Sequence, residues 1–206
     1  KLVRVLRRRL SNMKNITILQ GDVLRLSIPS FNKVVSAPPY SISSPLLFWL
    51  LDRGFKCAVF TFQREFAERL LTQPNSRDYG RLSVTTYYRA SVELLDDVPR
   101  WMFWPPPKVD SVIMRLEPRK APFSVNNEEV FFEILRVLFT QKNRKVKNAI
   151  KPFLDELRLS EEDAEEWLKT LPFIDKRARE LAPEDFGLMA NEIVDRIHKK
   201  GLELKE

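Results

Sequence analysis

The stretch from Phe31 to Leu50 most constrains the fold, because it joins a short apolar run to a strongly apolar helix through two consecutive prolines. Proline cannot donate a main-chain hydrogen bond to a neighbouring strand, and it disfavours helical geometry at the residue before it. Pro38 and Pro39 therefore end the predicted strand at residues 33–35 abruptly. They also fix the direction of the carbonyl groups in the loop that follows.

Tyr40 comes directly after the two prolines. Rigid carbonyl groups beside an aromatic ring can bind a flat heterocycle with an exocyclic amine, since the carbonyls accept the amine hydrogens and the ring stacks on the heterocycle. The same residues are also typical of a proline-rich strand end with a tyrosine in the core. This short motif alone leaves both interpretations open.

A chain of 206 residues can form one large domain, or one domain with a small appendage. No apolar stretch approaches the roughly 20 residues that span a membrane, and no leader segment with an apolar centre is seen, so we expect a cytoplasmic protein. Cys57 is the only cysteine and lies in an apolar run, which excludes a disulfide within the chain and predicts a buried thiol. With His198 as the only histidine, a zinc site is not expected.

The positive charge of the chain is concentrated in two regions. Residues 1–120 carry 20 Lys and Arg against 10 Asp and Glu, whereas residues 121–206 carry 15 against 18. Residues 136–151 are the exception in the acidic half, because they hold six basic residues and no acid. Such clustering favours a polyanionic partner, and a solvated basic helix face is the alternative.

Apolar periodicity predicts an α/β region followed by helices. The expected strands lie at residues 15–20, 33–35, 58–62, 82–94 and 111–116, and the expected helices at residues 1–10, 44–53, 64–71, 128–141, 145–157, 161–169 and 183–200. Ser160 is the predicted N-cap of the third helix after residue 127. The early alternation of strands and helices indicates a parallel sheet covered on both faces, and the last two strands indicate an antiparallel end to that sheet.

In parallel sheets, ligands bind beyond the carboxyl ends of the strands, where Asp22 and the 37–40 loop are both expected. A second stiff segment runs from Trp101 to Val109, with large aromatic residues ahead of three prolines. We assign Trp101 itself to core packing. The chain has no Cys/His pair, no Ser/His/Asp arrangement and no phosphate-binding glycine loop. The features that remain are Asp22, the 37–40 loop and the stiff aromatic segment, and together they are suited to bind an extruded base.

Several motifs follow one another along the chain. They are Gly21-Asp22-Val23-Leu24, Ala37-Pro38-Pro39-Tyr40 with Ser43-Ser44-Pro45-Leu46, Phe62-Gln63-Arg64-Glu65, Tyr79-Gly80-Arg81-Leu82, and Phe103 to Val112 (FWPPPKVDSV). In this order they resemble the small-subunit rRNA adenine N6,N6-dimethyltransferases, the KsgA family, of archaeal type. The resemblance continues through Gln141 to Lys145 and Arg177 to Phe186, so it covers essentially the whole chain.

The resemblance implies a Rossmann-like class I methyltransferase sheet, truncated at its amino end, in residues 1–121, and a small all-helical rRNA-binding domain in residues 122–206. It implies S-adenosylmethionine-dependent dimethylation of two adjacent adenines near the 3′ end of small-subunit rRNA. The expected partners are small-subunit rRNA and the immature small ribosomal subunit. We expect no membrane association and a monomer.

The resemblance also assigns site residues. It implies that Tyr40 and Phe103 sandwich the target base, that the Pro38 carbonyl accepts the amine hydrogens, and that Asp22 contacts the adenine of the cofactor. The full expected set is Ala37, Pro38, Tyr40 and Phe103 for catalysis, Asp22, Val23 and Ala37 for the cofactor, and Lys108, Lys142, Arg144, Lys145, Lys147 and Lys151 for RNA, with no metal.

Two departures from the family pattern qualify this assignment. The glycine-rich cofactor loop and the ribose-binding acid are expected before Lys1, so the cofactor site in this chain is expected to be incomplete. Ala37 stands where the family has Asn or a similar polar residue, and alanine cannot accept a hydrogen bond. Two alternatives therefore remain: a non-catalytic RNA-binding assembly factor, and a large-subunit rRNA methyltransferase of the erythromycin-resistance type.

Overall fold

The computed structural model describes residues 1–202 as a mixed sheet with helices, followed by a helical region. The strands are β1 (Lys33–Ser36), β2 (Cys57–Gln63), β3 (Ala90–Val98) and β4 (Ser111–Pro118). The helices are α1 (Leu2–Arg9), α2 (Ser43–Leu51), α3 (Arg64–Leu70), α4 (Arg81–Arg89), α5 (Glu128–Thr140), α6 (Val146–Ala149), α7 (Lys151–Glu156), α8 (Glu161–Thr170) and α9 (Pro183–Lys199). The predicted α/β class is confirmed.

The strands lie side by side in the order β1-β2-β4-β3. β1 and β2 run parallel, whereas β4 is antiparallel to both β2 and β3. The predicted antiparallel end of the sheet is therefore confirmed. The predicted cover on both faces is wrong at β1 within residues 1–202, because Val35 in the middle of this edge strand is 84% exposed.

Alternating apolar residues build the core of the sheet. Along β2 every second side chain is buried, including Ala58, Phe60 and Phe62, and these pack with the apolar face of α2 around Leu47 and Leu50. Burial of these apolar surfaces is the main favourable contribution to folding here. The same packing holds the end of β1 and the start of α2, and with them the loop that joins the two, in a fixed position.

A second cluster of buried side chains joins the helices of the carboxyl half. Phe131, Trp167 and Phe186 are each at most 1% exposed and belong to this cluster. Gly187 in α9 allows close packing, because a Cβ atom there would lie 2.6 Å from the ring of Phe123. Ser160 caps α8 as predicted, since its hydroxyl accepts a hydrogen bond of 3.1 Å from the main-chain N–H of Asp163.

Three element predictions are wrong. Residues 15–20 form no strand, because they pair with no neighbouring strand in the described chain, and Ile16 and Leu19 are 40% and 49% exposed. Residues 82–94 form helix α4 and only then strand β3. The expected helix at 145–157 is two helices, α6 and α7, and Pro152 lies at the start of α7.

Two side-chain predictions are also wrong. Trp101 is 75% exposed and does not pack in the core, because it lies in a short 3₁₀ turn, Arg100–Met102, outside the sheet. Cys57 is only partly buried, since it is the first residue of β2 and its side chain points away from the buried face. The surface position predicted for His198 is confirmed.

Tyr79, Val84 and Tyr88 precede residue 122 but belong to the helical cluster, whereas Leu82 belongs to the sheet cluster. The boundary near residue 122 stays a prediction, and residues 203–206 of the predicted helical domain lie outside the described residues. In residues 1–202 no helix is both long and apolar enough to cross a lipid bilayer.

Candidate active site

The loop between β1 and α2 has a fixed main chain. Pro38 is buried, and Ala37 and Pro39 are exposed on either side of it. The main-chain N–H of Ile42 donates a hydrogen bond of 3.1 Å to the carbonyl of Pro39, which closes the 3₁₀ turn Tyr40–Ile42. The carbonyl of Pro38 has no hydrogen-bond donor among residues 1–202.

This loop faces a cavity of about 790 Å³, here called the aromatic cavity. Its other side is the segment that precedes β4, and Thr61 of β2 contributes between the two. The lining residues are Ala37, Pro38, Pro39, Tyr40, Thr61, Phe103, Trp104, Pro105 and Pro107. The structure therefore brings together the four positions predicted for catalysis, which are 66 residues apart in the sequence at their extremes.

Ser111 fixes the tyrosine of this cavity. The hydroxyl groups of Tyr40 and Ser111 are 2.6 Å apart, and Ser111 is completely buried at the first position of β4. A ring held at its far end by a buried hydrogen bond has less freedom to turn, so its face is presented in one orientation. Sequence reasoning quoted Ser111 within a motif but gave it no role, and it did not single out Thr61.

A second cavity, here called the apolar cavity, has a volume of about 520 Å³ and is also lined by the 37–39 segment. Ala37, Pro38 and Pro39 line both cavities and form a shared wall. The remaining lining includes Val23, Ile28, Phe31, Val35, Ile42 and Phe60. The two cavities thus meet at one short piece of main chain.

Of the residues predicted for the cofactor, Val23 and Ala37 line the apolar cavity and Asp22 does not. One carboxylate oxygen of Asp22 accepts a hydrogen bond of 3.0 Å from the main-chain N–H of Leu24, and the other lies 3.7 Å from Nε of Arg25. The side chain is exposed, and an ionised carboxylate has about four acceptor positions, so it can still accept from a ligand beside Val23.

The aromatic cavity is almost free of ionisable groups. The phenol of Tyr40 is the only ionisable side chain among its lining residues. Close by, the ion pair with Asp97 raises the pKa of Arg64, and the main-chain N–H of Arg64 donates to the carbonyl of Asp110 at 3.1 Å. These contacts join the end of β2 to the stretch before β4. The residues from Trp101 to Val109 in this stretch are here called the aromatic segment. The cavity can orient a bound group but offers no carboxylate or imidazole to remove a proton.

The basic run at residues 142–147 lies beside residues 174–179. The main-chain N–H of Val146 donates to the carbonyl of Lys176 at 2.8 Å, and that of Lys147 donates to the carbonyl of Ile174 at 3.0 Å. The main chains of Lys145 and Arg177 form an isolated antiparallel β-bridge. This pairing places exposed Lys176 and Arg177 next to the predicted basic cluster. Sequence reasoning did not include these two among the RNA-binding residues, because a contact across about 30 residues leaves no periodic signal.

The six residues predicted to bind RNA differ in their surroundings. Lys142 donates from Nζ to the carbonyls of Arg77 and Tyr79, at 2.8 and 3.2 Å. Lys145 and Lys147 both contact Asp175, and their hydrogen bonds hold the pKa of that carboxyl below its usual range. Arg144 and Lys151 are exposed and form no ion pair within residues 1–202. Lys108 is exposed on the aromatic segment, apart from the cluster.

The residues from 1 to 202 contain no group of three or more His, Cys, Asp or Glu side chains that could hold a metal ion.

Comparison with known proteins identifies relatives that match most of the chain. The model of the family described as "Ribosomal RNA adenine dimethylase" matches residues 1–193. A protein of Methanosarcina acetivorans, named "Probable ribosomal RNA small subunit methyltransferase A", is 41% identical over 196 residues. That match covers 94% of this chain and 72% of the relative.

Two solved structures are similar in fold. A dimethyladenosine transferase from Plasmodium falciparum is 29% identical, with a TM-score of 0.78 over 98% of this chain and 80% of that chain. The 23S rRNA methyltransferase ErmE is 27% identical, with a TM-score of 0.59 over 94% of this chain and 78% of that chain. Both agree with the α/β sheet and helical region described above.

Proposed function

The chain belongs to the ribosomal RNA adenine dimethylase family, and from that premise we propose that it dimethylates N6 of two adjacent adenines near the 3′ end of small-subunit rRNA. The activated methyl groups come from S-adenosylmethionine. The reaction belongs to the biogenesis of the small ribosomal subunit, and the proposed substrate is the rRNA within the immature subunit.

The observation that carries this proposal is the aromatic cavity and its shared wall with the apolar cavity. A flat base placed between Tyr40 and Phe103 would be stacked on both faces and removed from water. The apolar cavity, which Ala37, Pro38 and Pro39 also line, has the size and lining to take an adenine ring beside Val23. Two ligands would then approach one another at this wall.

The side chains at and beside the apolar cavity are chemically suited to bind the cofactor. Val23 would contact its adenine, and Ala37 would contact the cofactor at the wall shared with the aromatic cavity. Asp22 would accept a hydrogen bond from the adenine's amino group with its unused carboxylate positions. Asp22, Val23 and Ala37 are therefore the proposed cofactor-binding residues of this chain.

The catalytic contribution of the chain is positioning. The free carbonyl of Pro38 would accept an N–H of the target amine, whereas the Pro39 carbonyl is already bonded to Ile42. Accepting that hydrogen orients the nitrogen lone pair, and the stacked rings hold the base in place while it reacts. Correct orientation of two reactants can supply about 7 to 11 kcal/mol of the barrier, so no general base is required.

The basic cluster would bind the rRNA through its phosphates. Arg144, Lys151, Lys176 and Arg177 are exposed for this role, and Lys145 and Lys147 would have to exchange Asp175 for a phosphate. Lys142 donates to carbonyls of the 77–79 loop, so it would hold the basic cluster in position and would not contact the RNA directly. Charge neutralisation of this kind makes affinity fall steeply with salt.

The proposal is tested by incubating the purified protein with S-adenosylmethionine and either immature small subunits or large subunits, followed by nucleoside mass spectrometry. We expect N6,N6-dimethyladenosine at two adjacent positions in small-subunit rRNA only. Methylation of large-subunit rRNA instead would support the erythromycin-resistance type of enzyme. Tight binding to small subunits without methyl transfer, by both the natural protein and Ala37→Asn, would support a non-catalytic assembly factor.

A further inference from the structure

Three large apolar side chains on the aromatic segment are exposed to water. Trp101 is 75% exposed, Met102 68% and Trp104 95%. By contrast, Trp167 is 1% exposed in the helical core, and Trp49 stacks on Phe31. Exposed apolar side chains that cluster together mark a binding surface more often than isolated ones do. Core packing does not account for Trp101 and Trp104.

These tryptophans line a third cavity of about 470 Å³. Its lining consists of Arg100, Trp101, Phe103, Trp104, Pro106 and Pro107, and is here called the tryptophan shelf. Phe103, Trp104 and Pro107 also line the aromatic cavity. The two cavities therefore adjoin along the same side chains.

The main chain beneath the shelf is held in place. The main-chain N–H of Arg100 donates to the carboxylate of Asp110 at 2.9 Å. The N–H of Met102 donates to the carbonyl of Pro99 at 3.0 Å, and that of Phe103 donates to the carbonyl of Arg100 at 3.3 Å. A preformed surface loses little conformational freedom on binding, which favours affinity.

The charges around the shelf suit a nucleic acid. Arg100 lines the shelf and is exposed, and Lys108, which follows Pro107 in the chain, is exposed as well. Among the nearby acids, Asp110 accepts the N–H of Arg100 and Asp97 is paired with Arg64. Exposed indole rings between cations are the arrangement that binds unpaired bases, since the rings stack on the bases and the cations neutralise phosphates.

We propose that the tryptophan shelf binds the nucleobase immediately adjacent to the target adenine, with Trp101 and Trp104 as stacking residues. This inference rests on the proposed function, since it names a second contact of the same RNA. Stacking is tolerant of base identity, so the shelf would position the strand rather than read its sequence.

The test compares RNA affinities by fluorescence anisotropy, using the natural protein and the Trp101→Ala and Trp104→Ala variants. The RNA is a hairpin with an unpaired target region, made intact, with an abasic nucleotide at the target, or with one on either side of it. Trp101 is the more selective probe, because it lines the shelf and not the aromatic cavity. Met102→Ala is the matched control, since Met102 is similarly exposed and lines neither cavity.

We expect Trp101→Ala to weaken binding of the intact RNA by roughly 5- to 150-fold, the range for loss of one base stack. On the RNA whose adjacent base is missing, Trp101→Ala and the natural protein should bind equally, and Met102→Ala should behave like the natural protein throughout. Equal binding of Trp101→Ala and Met102→Ala to intact RNA would overturn the proposal. A loss of affinity that persists both when the abasic nucleotide precedes the target and when it follows the target would also overturn the proposal.

The same measurements separate this inference from the proposed function. Tyr40→Ala should lose affinity only when the target base is present, because Tyr40 lines the aromatic cavity and not the shelf. If Tyr40→Ala behaves in this way but Trp101→Ala has no effect, the aromatic cavity binds its base and the shelf does not. If neither variant responds to removal of any base, the proposed binding of the target base fails as well.

Discussion

Ala37 presents only a methyl group to the wall that the two cavities share. The family pattern has Asn or another polar residue at this position, and such a side chain would give the target amine an acceptor in addition to the Pro38 carbonyl. The natural chain is left with main-chain acceptors alone. The missing contact lowers the expected rate of methyl transfer and leaves base stacking unchanged.

The substitution Ala37→Asn should therefore raise the rate of methyl transfer about 5- to 150-fold, from the roughly 1 to 3 kcal/mol that one such hydrogen bond contributes. Single-turnover assays with rRNA measure this rate. Ala37→Leu is the matched control, because it adds similar bulk without an acceptor, and it should give no increase. Equal rates for the natural protein and Ala37→Asn would show that this position does not contact the amine.

Part of the site could be predicted at the residue scale, and part could not. The aromatic and proline motifs pointed to Tyr40 and Phe103, and the structure places both at one cavity. The bond between Tyr40 and Ser111 spans 71 positions, and a single hydroxyl at the start of an apolar strand does not reveal its partner. The prediction for Trp101 is wrong because a tryptophan next to apolar residues is expected to be buried unless the secondary structure that contains it is known.

At the scale of elements, α4 shows how packing overrides local preference. Residues 82–94 are rich in β-branched and aromatic side chains, which favour a strand, yet residues 81–89 are helical. Leu82 packs on the sheet while Val84 and Tyr88 pack on the helical cluster, so the helix serves two cores at once. Ser83 caps its start by accepting the N–H of Gly80 at 3.3 Å. A local stretch of sequence does not contain the residues of both cores, so the local pattern cannot predict this packing.

Two substitutions on α4 should have opposite effects on the free energy of unfolding. The hydroxyl of Thr85 is buried with no hydrogen-bond partner in the described chain, so Thr85→Val should be neutral or stabilising by up to about 1 kcal/mol. Val84 is completely buried, and Val84→Thr should cost about 1 to 3 kcal/mol by burying an unpaired hydroxyl. Urea unfolding measures both. A cost for Thr85→Val equal to that of Val84→Thr would contradict this account of the packing.

The pairing of residues 142–147 with residues 174–179 makes a second element-scale prediction. Replacing exposed Arg144 and Lys151 together by Gln should lower RNA affinity and reduce the slope of log affinity against log salt by about 1 to 2, as for loss of two phosphate contacts. Lys142→Met is the comparison, because this amine donates to two carbonyls. It should lower thermal stability with little change in slope. An unchanged slope for the Arg144 and Lys151 variant would mean that these residues lie on a solvated face.

For the whole molecule, contacts of residues 71–80, which join α3 to α4, with the helical region help to hold the site and the basic cluster in one arrangement. The phenol of Tyr79 is 1% exposed and donates a hydrogen bond of 2.9 Å to the carbonyl of Leu181. The sequence predicted the sheet region and the helical region, and the family comparison supports both. It could not predict this contact, because the two residues are 102 positions apart.

Tyr79 gives the stability of the whole molecule a pH dependence. Burial, with a contribution from the carboxylates of Glu184 and Asp185, raises the pKa of Tyr79 well above its ordinary value. The neutral phenol therefore stabilises the fold fully below the unfolded pKa of about 10, and this stabilisation is lost as the pH rises toward the higher folded pKa.

Tyr79→Phe should lower the free energy of unfolding by about 1 kcal/mol at neutral pH, because the Leu181 carbonyl loses its donor. Above about pH 10 the natural protein should lose stability more steeply than the variant. Denaturant unfolding across this pH range measures the difference. The comparison is Tyr87→Phe: the hydrogen bond to Glu184 also raises the pKa of this phenol, but the residue is 37% exposed, so its removal should change the pH profile less. Parallel pH profiles for the natural protein and Tyr79→Phe would contradict the assignment.

The central claim is that the aromatic cavity holds the adenine while it is methylated. The most direct test is the single-turnover yield of N6,N6-dimethyladenosine in small-subunit rRNA for the natural protein, Phe103→Ala and the control Met102→Ala. Loss of one stacking face, at roughly 1 to 3 kcal/mol, predicts a yield at least about fivefold lower for Phe103→Ala and unchanged for Met102→Ala. Equal yields from all three proteins would show that the methylated base lies elsewhere.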